Sequence, residues 1–415
     1  MPLTADAVII GGGAVGTSIL YHLAQSGMRN LILLEKDGLS AGSTGDSAAI
    51  IRQHYSNPVS IQLAMRSIEI LKSFPEKLGQ DVFDQTGWVF LVPEDAGDSF
   101  KINLKQLQEL GVNTREISID EVPEHIPGLN PDGIAHVAFE PDGGFCDPQQ
   151  LCVGFANGAQ SKGAQILLNT PATGISTSNN RVTGVTTSTG HIDTPIVVNA
   201  AGPWAHKVGR WAGLDLPLEI SREQEIMVRV KPGMPLPKTA VSNMVDRIYF
   251  RPTREQGTLL VGVGHPKDNE SADPDNYNRK ADAEFAKGTV ERLTRRLPHM
   301  VGADLIASWA GLYTITPDWN MIADQAAGVD GLFLAVGGSG HSFKLGPSIG
   351  KHLAQKITGA KNDLIDIDKD KKDHLKRFRP LASNQISKIT AYKVVFIFII
   401  IISSLLLYKQ SLILL

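Results

Sequence analysis

Ala7-Val8-Ile9-Ile10 is a short apolar run that leads directly into Gly11-Gly12-Gly13-Ala14-Val15-Gly16. Thr17 to Gln25 then reads as a helix, and Leu31-Ile32-Leu33-Leu34 as a second buried strand closed by Glu35. A G-x-G-x-x-G turn between strand and helix, with an acidic residue about 20 residues further on, is the dinucleotide-binding fingerprint. Each glycine has a mechanical task. Gly11 makes the tight turn, Gly13 lets the backbone approach a pyrophosphate, and Gly16 lets helix and strand pack closely. The helix start would present N–H groups and a positive dipole end to the phosphates. Glu35 would accept hydrogen bonds from a ribose hydroxyl. The pattern predicts an α/β fold that begins with a Rossmann-like βαβ unit.

Composition narrows the function classes. The chain has 415 residues, enough for two domains, and a net charge of −3. No basic surface calls for nucleic acid. Cys146 and Cys152 are the only cysteines, which gives neither a disulfide framework nor a zinc site; no metal is expected. Met1 to Asp6 is too short and too polar for a signal peptide, so the fingerprint part is expected in the cytoplasm. The other end differs. From Val394 to Leu415 the sole charge is Lys409, and the length approaches that needed to cross a ~30 Å hydrocarbon core. Lys371, Lys372, Lys376, Arg377, Arg379, Lys388 and Lys393 precede it. That bias predicts a C-terminal anchor leaving the rest of the chain on the cytoplasmic side. A buried or interfacial helix, and an extension with no evolved role, are the competing readings.

Along the chain, 59–80 reads as an amphipathic helix, with further helices near 100–111, 149–162, 280–297 and 346–357. Residues 172–187 read as a hairpin turning at Asn179-Asn180. The Pro-rich stretch 123–148 reads as a connection. Residues 217–320 are strand-rich and break the βα alternation. The expected division is a discontinuous nucleotide-binding domain from 1–80, 149–216 and 321–360, interleaved with a largely antiparallel substrate domain from 81–148 and 217–320. A charged linker, 361–393, and the tail, 394–415, complete it.

Three small-residue segments follow apolar strands: Gly42-Ser43-Thr44-Gly45-Asp46-Ser47, Ala200-Ala201-Gly202-Pro203-Trp204, and Gly337 to Lys344. Ligands of doubly wound folds sit at the carboxyl ends of strands. One ligand touched from residue 11 to residue 344 is better explained by an extended FAD than by NAD. Together with Ile50-Ile51-Arg52, Asn199 to Trp204, Trp309 to Asp318 and Gly340-His341-Ser342-Phe343-Lys344, these segments resemble the D-amino-acid-oxidase-like superfamily of FAD-dependent oxidoreductases. The nearest branch is that of sarcosine oxidase, glycine oxidase and the proline dehydrogenase β-subunit, and the resemblance covers roughly 5–358.

The resemblance implies a set of site residues. FAD would be contacted by Gly11, Gly13, Ala14, Val15 and Gly16, by Glu35 and Lys36, by Ser43, Thr44 and Ser47, and by Ala172, Ala201, Gly202 and Trp204. Gly311, Gly338, Gly340, His341, Ser342, Phe343 and Lys344 complete the list. Lys344 and Arg52 fall where the family binds a substrate carboxylate, Tyr249 where sarcosine oxidases carry an active-site tyrosine, and His341 beside the flavin loop. Three departures stand out. Gly311 replaces the cysteine that attaches flavin covalently in sarcosine oxidases, so FAD is expected to be non-covalent. Leu260 lies near the place of the lysine linked to oxygen activation, which disfavours fast reaction with oxygen. No histidine near Phe145-Cys146 offers to hold a second flavin. The implied activity is oxidation of the C–N bond of a small amino acid or N-methyl amino acid by hydride transfer to flavin. The substrate would be a small carboxylate-bearing amine, and oxygen or a quinone the electron acceptor. Alternatives are a 2-hydroxy-acid or glycerol-3-phosphate type dehydrogenase on the same scaffold, and a non-catalytic flavoprotein subunit.

Overall fold

The computed structural model describes residues 3–264 and 268–359. The expected strands Ala7–Ile10 and Leu31–Leu34 are fully buried and pair in parallel, with Val8 opposite Ile32. They belong to a six-stranded sheet. Its order is Gln165–Leu167, Leu31–Leu34, Ala7–Ile10, Val197–Asn199, Leu332–Val336 and Ile322–Gln325. The first five are parallel and the last runs antiparallel. Both faces are covered, which is why these strands read as continuous apolar runs rather than alternating ones. On one face lie the helices Ala14–Gln25, Pro148–Gln160 and Ser342–Thr358, sharing a core with Ile9, Leu33 and Val198. On the other, Val8, Ile10 and Ile32 share a core with Ile175, Val182, Val185 and Ile192 of a four-stranded sheet.

The crossing of two of these helices depends on small residues. Ser18 Oγ donates to the carbonyl of Pro347 at 3.1 Å. A Cβ on Gly350 would come within 2.2 Å of Ser18 Oγ. At the front of the same helix, a Cβ on Gly16 would meet the Gly11 carbonyl oxygen at 2.0 Å. Gly16 therefore packs helix against turn, as its place in the fingerprint requires.

An eight-stranded sheet forms the second layer. Its order is Asp304–Ile315, Glu219–Arg229, Thr258–Val263, Ile248–Pro252, Ala240–Asn243, Trp88–Val92, His136–Glu140 and Arg115–Glu116. All neighbours are antiparallel except Ala240–Asn243 with Trp88–Val92. Alternate residues such as Ile226, Val228, Val241, Phe250, Leu259 and Val261 form a core with Leu293 of helix Ala283–Arg296. The residues between them point the other way, and several of these form the wall of the site.

The structure corrects three expectations. The stretch 123–148 is more than a connection: it holds the strands His136–Glu140 and Gly144–Cys146, the latter pairing with Ile50–Ile51 and Phe83–Asp84. The helix expected over 59–80 spans Pro58–Lys72, and a short helix Phe74–Leu78 follows Ser73 because Pro75 restarts the chain at a first helical turn. The last helix starts at Ser342, not Gly346, which puts Lys344 in its first turn. Among the described residues no helix is long and apolar enough to cross a membrane. The linker 361–393 and the tail 394–415 lie outside the described residues.

Candidate functional site

A cavity of about 720 Å³ opens at the carboxyl ends of the parallel strands and runs under the large sheet. Small-molecule sites usually occupy roughly 300–1,000 Å³. All the residues expected at the site line it, with the single exception of Gly16, whose place is in the helix packing just described.

At one end the glycine turn supplies Gly11, Gly13, Ala14 and Val15. Helix Ala14–Gln25 has no acidic residue in its first turn, and Gly13 brings no capping side chain. Thr44 Oγ1 accepts from the Ala14 N–H at 3.2 Å. A Cβ on Gly13 would come within 2.9 Å of that oxygen. Glu35 is anchored from two sides: Gly12 N–H donates to Oε2 at 2.7 Å and Asp37 N–H to Oε1 at 2.9 Å. Each carboxylate oxygen keeps a further lone pair for a ribose hydroxyl. Lys36 Nζ lies over the Trp204 ring, 3.8 Å from its centre. Trp204 is held in turn by a 2.6 Å hydrogen bond from Nε1 to Asp275. Ala172, Ala201, Gly202, Ser43 and Ser47 complete this wall. Ser43 Oγ is buried without a hydrogen-bond partner. A buried hydroxyl of this kind, beside a helix start with no acidic residue in its first turn, fits the phosphates of FAD.

At the other end, Gly338, Gly340, His341, Ser342, Phe343 and Lys344 come from the last strand–helix junction. Lys344 Nζ donates to the Gly340 carbonyl at 3.3 Å. Burial, and second the charge of Arg52, push the Lys344 ammonium down to about 7. Arg52 donates to the His54 carbonyl and stacks over Tyr55, 4.6 Å from the ring centre. His341 meets Tyr55 edge-on at 5.3 Å. Tyr249 OH donates to Glu225 Oε1 at 2.7 Å. Lys344, Arg52, His341 and Tyr249 therefore share one end of the cavity, and neither Lys344 nor Arg52 forms an ion pair among the described residues.

Gly311 lies against Asp46. A Cβ there would come within 2.7 Å of the Asp46 Cβ, so the position has no room for a cysteine in this backbone. Leu260 is buried in strand Thr258–Val263, paired with Met227 and Arg251, and does not line the cavity, which that segment reaches at Val263 and Gly264. Phe145 and Cys146 are likewise buried away from the wall. Among the described residues no cluster could hold a metal ion.

The sequence reading passed over Glu223, Glu225 and Asp46, all on the wall. Burial pushes the Asp46 carboxyl up to about 6. The available signal was Glu223-x-Glu225 inside a strand pattern, two carboxylates on one face of a sheet.

A family model described as "FAD dependent oxidoreductase" (DAO) matches residues 6–356. Human mitochondrial sarcosine dehydrogenase is 29% identical over 86% of this chain and 40% of its own length. Rat mitochondrial dimethylglycine dehydrogenase is 29% identical over 88% of this chain and 44% of its own. The chain thus spans less than half the length of those two proteins. Among solved structures, L-proline dehydrogenase from P. horikoshii has a TM-score of 0.81 at 29% identity, over 91% of this chain and 98% of that one. Glycine oxidase from Bacillus cereus has a TM-score of 0.75 at 26% identity, over 88% and 98%.

Proposed function

Because the chain belongs to the family of FAD-dependent oxidoreductases, we propose that it oxidises the C–N bond of a small amino acid or N-methyl amino acid. The observation that carries this reading is the pair Arg52 and Lys344, two cations on one cavity wall, neither of which forms an ion pair among the described residues. Isolated buried charge is costly, and an anionic substrate group would offset the cost. The similar dehydrogenases and oxidases support the same reading, since the substrates in their names are small amino acids. When bound, FAD supplies the redox chemistry. The protein's part is to orient the substrate and set the charge around it. The imine product would hydrolyse, or remain cyclic if the substrate is proline.

In this reading, 1–80, 149–216 and 321–360 hold FAD, and 81–148 with 217–320 hold the substrate. FAD is non-covalent, and the electrons leave to oxygen or a quinone. The tail 394–415 anchors the chain to a membrane; apolar length and flanking charge support this.

An anaerobic screen tests the activity. Sarcosine, dimethylglycine, proline or glycine should bleach the flavin band, and lactate or glycerol 3-phosphate should not. Bleaching by a hydroxy acid alone would reverse the assignment. A flavin reduced by none of them would favour a non-catalytic subunit.

A further inference from the structure

Glu225 occupies the middle of strand Glu219–Arg229, where a carboxylate is expensive to bury unless it is satisfied. It is 6% exposed and lines the cavity. Oε1 accepts the Tyr249 hydroxyl at 2.7 Å, whereas Oε2 is buried and has no hydrogen-bond partner. Arg251 is close but directed elsewhere. It donates to the carbonyls of Ala48 and Pro252, and its guanidinium lies over Phe145 at 4.4 Å. The cations Arg52 and Lys344 belong to the same end of the cavity. Burial above all holds the Tyr313 hydroxyl proton on; Glu223 and Glu225 add to that, and Arg52 opposes them. The wall is therefore negative near Tyr249 and positive near Arg52, the charge layout of a zwitterion.

We propose that Glu225 Oε2 receives the proton of the substrate's ammonium group, making Glu225 and Tyr249 the amine half of a site whose carboxylate half is Arg52 and Lys344. This rests on the amino-acid reading above and extends it. In the step an N–H bond of the ammonium breaks and an O–H bond forms on Oε2. The electron pair stays on nitrogen and nothing is oxidised. The product is the neutral amine, the form whose neighbouring carbon can release a hydride. Tyr249 holds the carboxylate towards the nitrogen through its other oxygen.

The surroundings suit a base that works at neutral pH. Burial pushes the Glu225 carboxyl up to about 7. The Tyr249 hydroxyl and Arg251 hold it down, and Asp46 pushes it up. Glu223 on the same strand, Tyr313 on strand Asp304–Ile315 and His341 are further titratable groups on the cavity wall, which also carries the cations Arg52, Lys344, Arg247 and Arg279. A base of this strength is well matched to its task near pH 7.

Glu225→Gln, nearly isosteric, tests the proposal in the FAD-loaded protein. For an amine substrate, wild-type kcat/KM should rise with pH through about 7. In Glu225→Gln it should fall roughly 100-fold or more at neutral pH, and the rising limb should move up towards the amine's own pKa. Methoxyacetate, a carboxylate with no N–H, should bind the variant at least as tightly as the wild type by calorimetry, because an anionic wall has been removed. Tyr249→Phe removes a hydrogen bond that favours the ionised form, so its limb should also shift upward. This second variant keeps the proposal testable if Glu225→Gln loses FAD. An unshifted limb in Tyr249→Phe, a wild-type limb and rate in Glu225→Gln, or equal loss of methoxyacetate binding would each overturn it. The two readings fail differently. If no amine reduces the wild-type flavin, the amino-acid assignment falls. If an amine does so and the limb ignores Glu225, only this inference falls.

Discussion

Lys344 and Arg52 place two positive charges on one wall, and their titration should report what binds there. The Lys344 ammonium is pushed down to about 7 by burial first and by Arg52 second. A bound carboxylate restores the charged form. Carboxylate affinity should therefore be constant below about pH 7 and weaken as pH rises through it, because the lysine must first take up a proton. Glu225 ionises over the same range and repels in the same direction, so Glu225→Gln should keep the part of the dependence that belongs to Lys344. Lys344→Met should remove that part and weaken acetate binding by about 1.5–3 kcal/mol, with FAD retained. Calorimetry at several pH values measures this; unchanged acetate affinity in the variant would remove the carboxylate role. Lys344 was legible in the sequence because a lysine beside a helix start, where the dipole disfavours it, is a local oddity within a glycine-rich junction. Glu225 was not. A glutamate in a strand ordinarily reads as the solvated face, and only the pairing of that strand between Asp304–Ile315 and Thr258–Val263 shows that its face is a cavity.

At the scale of elements, sequence patterns located what periodicity controls. The first two parallel strands, the hairpin Ala172–Ser178 with Arg181–Thr187, and most helices lie within a few residues of expectation. Strand Glu219–Arg229 shows why the large sheet was harder to read. Arg222 and Gln224 point away from the cavity and bind Glu270 and Asp282, so in the segment Ser221 to Glu225 both faces are polar and the alternation vanishes. His136–Glu140 was missed because prolines before and after it masked five residues of strand. Glycines inside helices offer a direct test of the packing. Gly350→Leu should destabilise the protein by at least about 1–3 kcal/mol, since its side chain would drive into Ser18 at the helix crossing. Gly288→Ala, on helix Ala283–Arg296 with nothing within 4 Å of its new Cβ, should stabilise it by about 0.5–1 kcal/mol. Thermal melts of the two variants decide; equal and small shifts would contradict the described crossing.

For the molecule as a whole, the cavity wall draws on residues from Ile10 to Lys344. Acid precipitation should release free FAD into the supernatant, as expected where Gly311 leaves no room for a tethering cysteine; yellow colour retained on the washed precipitate would contradict this. The full-length chain should sediment with membranes, and a truncation at Ser387 should not. Full-length protein that stays in the supernatant would exclude the anchor. The strand order has a further consequence, one that concerns synthesis. Leu332–Val336 slots between Val197–Asn199 and Ile322–Gln325, so a nascent chain that ends between about Asn199 and Val336 shows Val197–Asn199 to the cell as a bare hydrophobic edge. Such edges recruit other chains. The vitamin-derived cofactor also meets no finished binding wall until Lys344 has left the ribosome. Flavin loading should therefore wait for that junction to emerge, and a ribosome that stalls between about Asn199 and Val336 should leave a fragment with an exposed strand edge and an unfinished cofactor site.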